Sequence, residues 1–341
     1  MPEANNIKVQ GIQRLKYSST CYINAAVQAL FSIQEFSDLL ESNQLDKSNH
    51  PLIFQLQKLY QHCRLSSRQK HASKDLSNKE LIDCLNSKKM KIIPERQEDS
   101  AEFFENLVEE ITNELGKKNT GLMNVPDIKE LLKANLVCTV SCKECENGYI
   151  IDHAHLIVHL ENSKGYQTET TTASKLKELL QAKDKTARCT KCLRETHSKS
   201  TFNYGFSKYL CLKIARNTWN SKKNRMERIE QNIKPEKFLE IKFDYQKTKT
   251  CYGLIGGIMH KGSANSGHYL NILKISHKWY EIDDAKVTAI SESEAIRQLE
   301  SYGVLVMYQE EEKSEGEQNL SPKLNITKRN EEDEKRGTVE V

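Results

Sequence analysis

Cys21 follows three hydroxyl residues, Ser18, Ser19 and Thr20, and precedes Tyr22, Ile23 and Asn24. Ala25, Ala26, Val27, Leu30 and Phe31 then supply an apolar face. Ser and Thr oxygens accept hydrogen bonds from the free amides of a helix start. The pattern predicts a helix from Cys21 to about Phe31–Phe36, with Cys21 in its first turn. The helix dipole and free amides there favour a thiolate, the form in which cysteine is a nucleophile. A small buried hydrophobe at the helix start is the plainer alternative. Far along the chain, Gly262-Ser263-Ala264-Asn265-Ser266-Gly267-His268-Tyr269 is followed by Trp279-Tyr280-Glu281-Ile282-Asp283-Asp284. A glycine-rich loop delivers His268 to the start of one strand, and the next strand ends in Asp283 and Asp284. If the strands are neighbours, Asp283 accepts the His268 Nδ1–H and turns Nε2 toward a nucleophile, as in a catalytic triad. Singly, a loop histidine and a turn after a strand account for these residues.

Cys142/Cys145 and Cys189/Cys192 form two CxxC pairs. Each pair presents two thiolates from a tight turn, and two pairs complete a tetrahedral Zn²⁺ site. Four thiolates leave no open position, so the expected metal is structural, one ion per chain. Four unrelated thiols are the alternative, and Cys138 is near enough to compete as a ligand. His153 and His155 alternate on one strand face and could bind metal, but a surface or core role is the preferred reading.

The elements that must position these groups change character along the chain. Residues 1–10 read as a flexible lead-in. Residues 11–135 read as helical: Leu52 to Tyr60 carry an apolar stripe, and Ser77-x-x-Glu80 has capping-box spacing ahead of Leu81, Cys84 and Leu85. Asp99 and Glu102 repeat that spacing ahead of Phe103, Phe104, Leu107, Val108, Ile111 and Leu115. Residues 136–205 hold the CxxC pairs, a β-branched run from Tyr149 to Leu160 and a short helix with Leu176, Leu179 and Leu180. Residues 206–309 are strand-rich, and 310–341 read as a disordered charged tail.

The 341 residues include 51 Lys plus Arg against 47 Asp plus Glu, a net charge of +4. That balance lacks the basic face of a nucleic-acid binder, so a zinc-dependent nucleic-acid module fits only the CxxC pairs. No apolar run approaches the roughly 20 residues of a membrane span, and Met1 to Asn6 has no apolar stretch of signal-peptide type. A cytoplasmic or nuclear location is expected, where the 10 cysteines are thiols or ligands and not a disulfide framework. No membrane partner and a monomer are expected.

An N-terminal Cys at a helix start with a distant His and Asp on strands is the order of papain-like proteases. The chain resembles the ubiquitin-specific proteases, cysteine deubiquitinases built of thumb, palm and fingers, over roughly residues 8–309. Four boxes carry the resemblance, in the family's order: Gly11-Ile12 through Thr20-Cys21-Tyr22-Ile23-Asn24 and Gln28-Ala29-Leu30; Gln97, Asp99, Glu102 and Phe103; the two CxxC pairs; and Gly262 through Tyr269 with Trp279-Tyr280 and Asp283-Asp284. Tyr302 through Tyr308 match the closing strand. The resemblance implies an α+β, papain-like fold with a helical thumb, a β-rich palm and zinc-ribbon-like β fingers. It implies Cys21 as nucleophile, His268 as base and then acid, and Asp283 as the orienting carboxylate, with Asp284 the alternative third member. Asp99 and Glu102 fall where the family holds the cationic tail of ubiquitin.

The implied activity is hydrolysis after the C-terminal Gly-Gly of ubiquitin through a thioester on Cys21. A ubiquitin-binding scaffold with little turnover and a protease for a ubiquitin-like modifier are the other readings. This chain departs from the family where an Asn normally precedes the Cys to hold the oxyanion. Counting back from Cys21 gives Lys16, and counting forward from Gly11 gives Arg14. A backbone N–H at Cys21, with Lys16 or Ser19 as partner, is the expected substitute. Ala101, and Ala215-Arg216 after Lys213-Ile214, are further departures that bear on packing.

Overall fold

The computed structural model describes residues 8–15, 17–65, 77–88, 90–116, 122, 125–145, 148–161, 170–181, 183–189, 191–242, 249–311 and 323–324. The first part is helical: β1 (Lys8–Val9), α1 (Cys21–Leu30), α2 (Gln34–Ser42), α3 (Pro51–Cys63), β2 (Arg64–Leu65), α4 (Lys79–Ser87), α5 (Ser100–Leu115) and α6 (Ile128–Leu132). The middle part follows with β3 (Ala134–Cys142), β4 (Gly148–His155), β5 (Val158–Leu160), α7 (Thr172–Leu180), β6 (Lys183–Arg188) and β7 (Glu195–Phe206). The last part comprises β8 (Tyr209–Ile214), β9 (Asn217–Asn220), β10 (Arg225–Arg228), β11 (Phe238–Lys242), β12 (Lys249–Gly262), β13 (Gly267–Ile275), β14 (Lys278–Asp283), β15 (Lys286–Ile290), α8 (Glu292–Tyr302), β16 (Gly303–Glu310) and β17 (Lys323–Leu324). No described helix is long and apolar enough to cross a membrane.

Every residue of α1 is buried, as expected of a helix enclosed on all sides. α5 flanks it on one side and strands β12 and β13 on the other. Polar bonds tie its neighbours on: Ser100 Oγ donates to the Tyr22 carbonyl (2.9 Å) and Asn271 Nδ2 to the Ala25 carbonyl (2.8 Å). Phe103, Phe104, Leu107, Val108 and Ile111 of α5 join α1 in one core that also takes in Cys211, Ile258, Leu305 and Met307 from the sheet. α3 begins where α5 ends because the buried Glu114 carboxylate accepts the Leu52 and Ile53 amides and pairs with Lys88 Nζ at 2.8 Å. A buried carboxylate needs such partners.

The nine-stranded sheet runs β15-β14-β13-β12-β16-β8-β5, with β11 on the first half of β12 and β17 on β11. β12 pairs successively with β11, β16 and β13, and register shifts at Leu254/Gly256 and Ile258/Met259 let one strand serve three partners. The four-stranded antiparallel sheet β4-β3-β7-β6 stands apart from it. The fold is thus α+β, as expected.

Several local expectations are corrected. The run Tyr149–Leu160 is two strands, β4 in the four-stranded sheet and β5 in the nine-stranded one, broken at Leu156–Ile157. Thr20 is the N-cap of α1, but its side chain does not cap; Thr20 Oγ1 instead meets Ser18 Oγ at 2.9 Å, and Ser18 Oγ donates to the Leu15 carbonyl. Asn78, not Ser77, precedes α4, again without a side-chain cap. Asp99 does cap α5, accepting the Ala101 and Glu102 amides at 2.9 and 3.1 Å. α8 lies in a stretch read only as strand-rich. Its signals are Ser291, whose side chain accepts the Glu294 amide, and the buried pair Ala295 and Leu299. Within 310–341, Glu310 closes β16 and Lys323–Leu324 pair in parallel with Glu240–Ile241; residues 312–322 and 325–341 lie outside the described residues.

Candidate active site

α1 puts Cys21 at its first residue, β13 puts His268 at its second, and β14 puts Asp283 at its last. β13 and β14 are antiparallel neighbours, so His268 and Asp283 meet. His268 Nε2 lies 2.5 Å from Asp283 Oδ1. This reverses the ring assignment expected from the sequence: Nε2 faces the carboxylate, and Nδ1 is left for Cys21. The reason is the start of β13, which presents the ring with its far nitrogen toward the end of β14.

Asp284 lies one residue on, at φ 48°. Its Oδ2 is 3.9 Å from His268 Nε2, so it is the more distant carboxylate. It is held by other groups: Asn24 Nδ2 donates to Oδ1 (2.8 Å), Arg14 Nε is 3.8 Å from Oδ2, and the Ile12 amide donates to its carbonyl (3.0 Å). Asn24 also donates to the Ile12 carbonyl and accepts from Asn78 Nδ2 (2.8 Å). Gly11 must be glycine here, because a Cβ would stand 1.8 Å from the Asp284 carbonyl oxygen. Burial pushes the Asp284 carboxyl up, against the pull of Asn24 and the charges of His268 and Arg14.

Burial by itself raises the Cys21 thiol. Hydrogen bonds with His268, with the Tyr269 amide (3.5 Å) and with Gln97 Nε2 (3.4 Å), together with the charge of His268, outweigh it and hold the thiol below its usual value. The converse holds for His268, whose pKa rises to about 9. The bond to Cys21 contributes most, burial opposes it, and Asp283 adds to the rise. The two shifts share one cause, the mutual stabilisation of a Cys21 thiolate and a His268 imidazolium. A helix leaves its first amides without intrahelical partners, and at α1 these include the Cys21 amide, beside the sulfur. Of the partners expected for the Cys21 amide, Lys16 lies outside the described residues and the Ser19 amide donates to the Pro94 carbonyl; Arg14, at the other position aligned with the family Asn, is turned to Asp284.

Asp99 Oδ2 pairs with Lys213 Nζ at 3.0 Å while Oδ1 caps α5. Glu102, in the first turn of α5, is exposed. Behind the loop, His260 is buried, its ring 4.6 Å from that of Tyr269, and its carbonyl accepts Arg228 NH2. Burial first, then the Arg228 charge, lower its pKa to about 4, so the ring is neutral. Sequence reasoning did not assign Asn24, Gln97, the Tyr269 amide or His260 to the site. Asn24, Gln97 and Tyr269 carried a usable signal, their places in the boxes around Cys21, Asp99 and His268.

Cys142, Cys145, Cys189 and Cys192 converge at the end of the four-stranded sheet, with all four sulfurs within 4.8 Å of one another. Cys142–Cys192 and Cys145–Cys189 are 3.9 and 3.6 Å apart. A tetrahedron with Zn–S bonds of about 2.3 Å has S–S edges of about 3.8 Å, so the four residues fit a zinc ion. The second pair sits on a turn closed by the Leu193 amide to the Cys189 carbonyl, with Leu193 at φ 59°. The Cys138 side chain and that of His153 lie outside the described residues, and His155 is exposed.

A helix-borne cysteine facing a histidine and a carboxylate on adjacent strands is the arrangement of a thiol hydrolase. The chain belongs to the ubiquitin carboxyl-terminal hydrolase family, whose profile matches residues 11–308. It is 22% identical over 214 residues to probable ubiquitin carboxyl-terminal hydrolase 8 of Schizosaccharomyces pombe, covering 63% of this chain and 45% of that protein. It is 24% identical over 348 residues to ubiquitin carboxyl-terminal hydrolase 8 of Saccharomyces cerevisiae, covering 83% and 68%. This chain spans 34% of ubiquitin carboxyl-terminal hydrolase 23 of Arabidopsis thaliana, a third relative. The fold matches a chain of the SAGA DUB module of Ubp8, Sgf11, Sus1 and Sgf73 bound to monoubiquitin, with TM-score 0.72 and 17% identity over 91% of this chain and 72% of that one. The same module bound to ubiquitin aldehyde matches with TM-score 0.71.

Proposed function

We propose that the protein is a thiol-dependent deubiquitinase that hydrolyses the bond after the C-terminal Gly-Gly of ubiquitin. The observation that carries this reading is the placement of His268 between Cys21 and Asp283, with Nε2 on the carboxylate and the other ring nitrogen free for the thiol. The Cys21 thiolate attacks the carbonyl carbon of the last glycine. The Cys21 amide, at the positive end of α1, donates to the oxygen as it becomes negative. His268, protonated at Nδ1, gives its proton to the leaving amine as the carbon–nitrogen bond breaks, leaving a thioester on Cys21. Neutral His268 then takes a proton from water, whose oxygen attacks the thioester and releases the ubiquitin carboxylate and the Cys21 thiolate. Asp283 holds the ring and stabilises its charged form, and Asp284 supports the turn from the far side.

Asp99 and Glu102 line the approach of the cationic ubiquitin tail. Asp99 already shares its charge with Lys213, so an incoming arginine competes with that lysine. One Zn²⁺ on Cys142, Cys145, Cys189 and Cys192 would supply a structural cross-link between β3 and the β6–β7 turn, and no chemistry. A monomer acting in the cytoplasm or nucleus is consistent with this role.

The test uses ubiquitin bearing a C-terminal electrophile. The wild-type chain forms a covalent adduct seen by intact mass, and Cys21→Ala forms none. An adduct that persists in Cys21→Ala, or its absence from the wild type, overturns the reading.

A further inference from the structure

Gln97 stands two residues ahead of the α5 cap and reaches across the cleft. Its Nε2 donates to the Gly267 carbonyl (2.8 Å) and lies 3.4 Å from Cys21 Sγ, while its Oε1 accepts the Gly267 amide (3.2 Å). One carboxamide therefore meets the sulfur and both polar groups of the residue next to His268. Only a primary amide offers two N–H donors and one carbonyl acceptor from a single planar group. Gly267 is held equally firmly on its other side: a Cβ there would stand 2.4 Å from His260 Nε2 and 2.6 Å from the Lys261 carbonyl. The residue before His268 is thus clamped between the His260 ring and the Gln97 amide.

We propose that Gln97 is a positioning residue of this site, registering the Cys21 sulfur against the backbone of Gly267, the residue before His268, and donating a hydrogen bond to the thiolate before substrate arrives. The proposal rests on the reading of Cys21 as nucleophile and His268 as its base. It gives the helical part of the molecule a direct grip on the strand that bears the histidine. Without it, Cys21 keeps the Tyr269 amide and His268 but loses one donor, and the loop from Gly262 to Gly267 loses its anchor on the thumb side.

The test is the pH dependence of Cys21 alkylation by iodoacetamide in the full-length protein, read by peptide mapping at Cys21, for wild type, Gln97→Ala and Gln97→Glu. The charged groups that face Cys21 stay in place in both variants. They are His268 on β13, which meets Cys21 directly, and one step further out Asp283 and Asp284 beside His268, Arg14 beside Asp284, and Arg96 and Glu98, which act on the neighbouring Tyr22. Removing the donor moves the alkylation midpoint up by about half a pH unit in Gln97→Ala, and placing a carboxylate there moves it up by about one unit or more in Gln97→Glu. Turnover on a ubiquitin substrate falls through kcat, with KM little changed. A purely structural role would lower the thermal midpoint and leave the alkylation midpoint where it was, and that result in both variants overturns the proposal. Gln97→Ala removes no core side chain and serves if Gln97→Glu does not fold. The alkylation arm uses no ubiquitin, so a wild type that forms no ubiquitin adduct sinks the functional reading separately.

Discussion

The charge state of two side chains governs when the site is ready. Cys21 is pulled below its usual pKa and His268 is raised to about 9. The reactive pair exists above the first value and below the second. Turnover therefore rises with pH as Cys21 ionises, below the range of an ordinary thiol, and falls as His268 loses its proton near pH 9; a kcat/KM profile checks this. Asp283→Asn removes one of the interactions that raise His268, so the falling limb moves to lower pH and kcat drops on the order of 10²-fold or more. At this scale the sequence displayed the reacting groups, because Cys21, His268 and Asp283 each sit beside a recognisable helix start, glycine loop or strand end. The ring nitrogen facing Asp283 was not legible. It depends on the angle at which β13 presents the ring, which residue types do not encode.

α1 and α5 act as one packed unit that carries the cysteine up to the sheet. Phe104 is fully buried between them, and Tyr22 meets Phe103 edge to face at 5.3 Å. Phe104→Ala should cost about 3–5 kcal/mol of stability, seen as a lower urea midpoint with an unchanged slope. The stripe on α5 was plain from its spacing, since Leu107, Val108 and Ile111 recur with the helical period. The division of Tyr149–Leu160 between two sheets was not, since β-branched residues suit either sheet and no glycine or proline marks the break. Caps were legible only in part. Asp99 caps α5, whereas the hydroxyls before Cys21 bond among themselves and to Leu15. Local propensity offered both outcomes, and the surrounding chain selected one.

At the scale of the whole molecule, the four-stranded sheet shares a core with the larger one: among its described buried residues, Ala134 and Tyr204 belong to the cluster of the larger sheet, and the four cysteines tie its far end. Native mass spectrometry should show one zinc per chain. Cys189→Ser should lose it and speed amide exchange in β3, β4, β6 and β7, while α1 and α5 exchange as before. The paired CxxC spacing made this cluster readable from sequence. The pairing that brings β3 between β4 and β7 was not, because paired residues of β3 and β7 lie 56 to 72 positions apart.

The bond from Asn24 to Asp284 joins residues 260 positions apart, and the Tyr269 amide reaches Cys21 across 248. During synthesis, α1 leaves the ribosome long before the strand that carries His268 exists. Until then Cys21 has neither its imidazole nor the Tyr269 amide, and its thiol is an ordinary one. A nascent or prematurely terminated chain is therefore chemically silent. The reactive sulfur comes into being only when β13, with His268 and Tyr269, has been made and folded back onto α1.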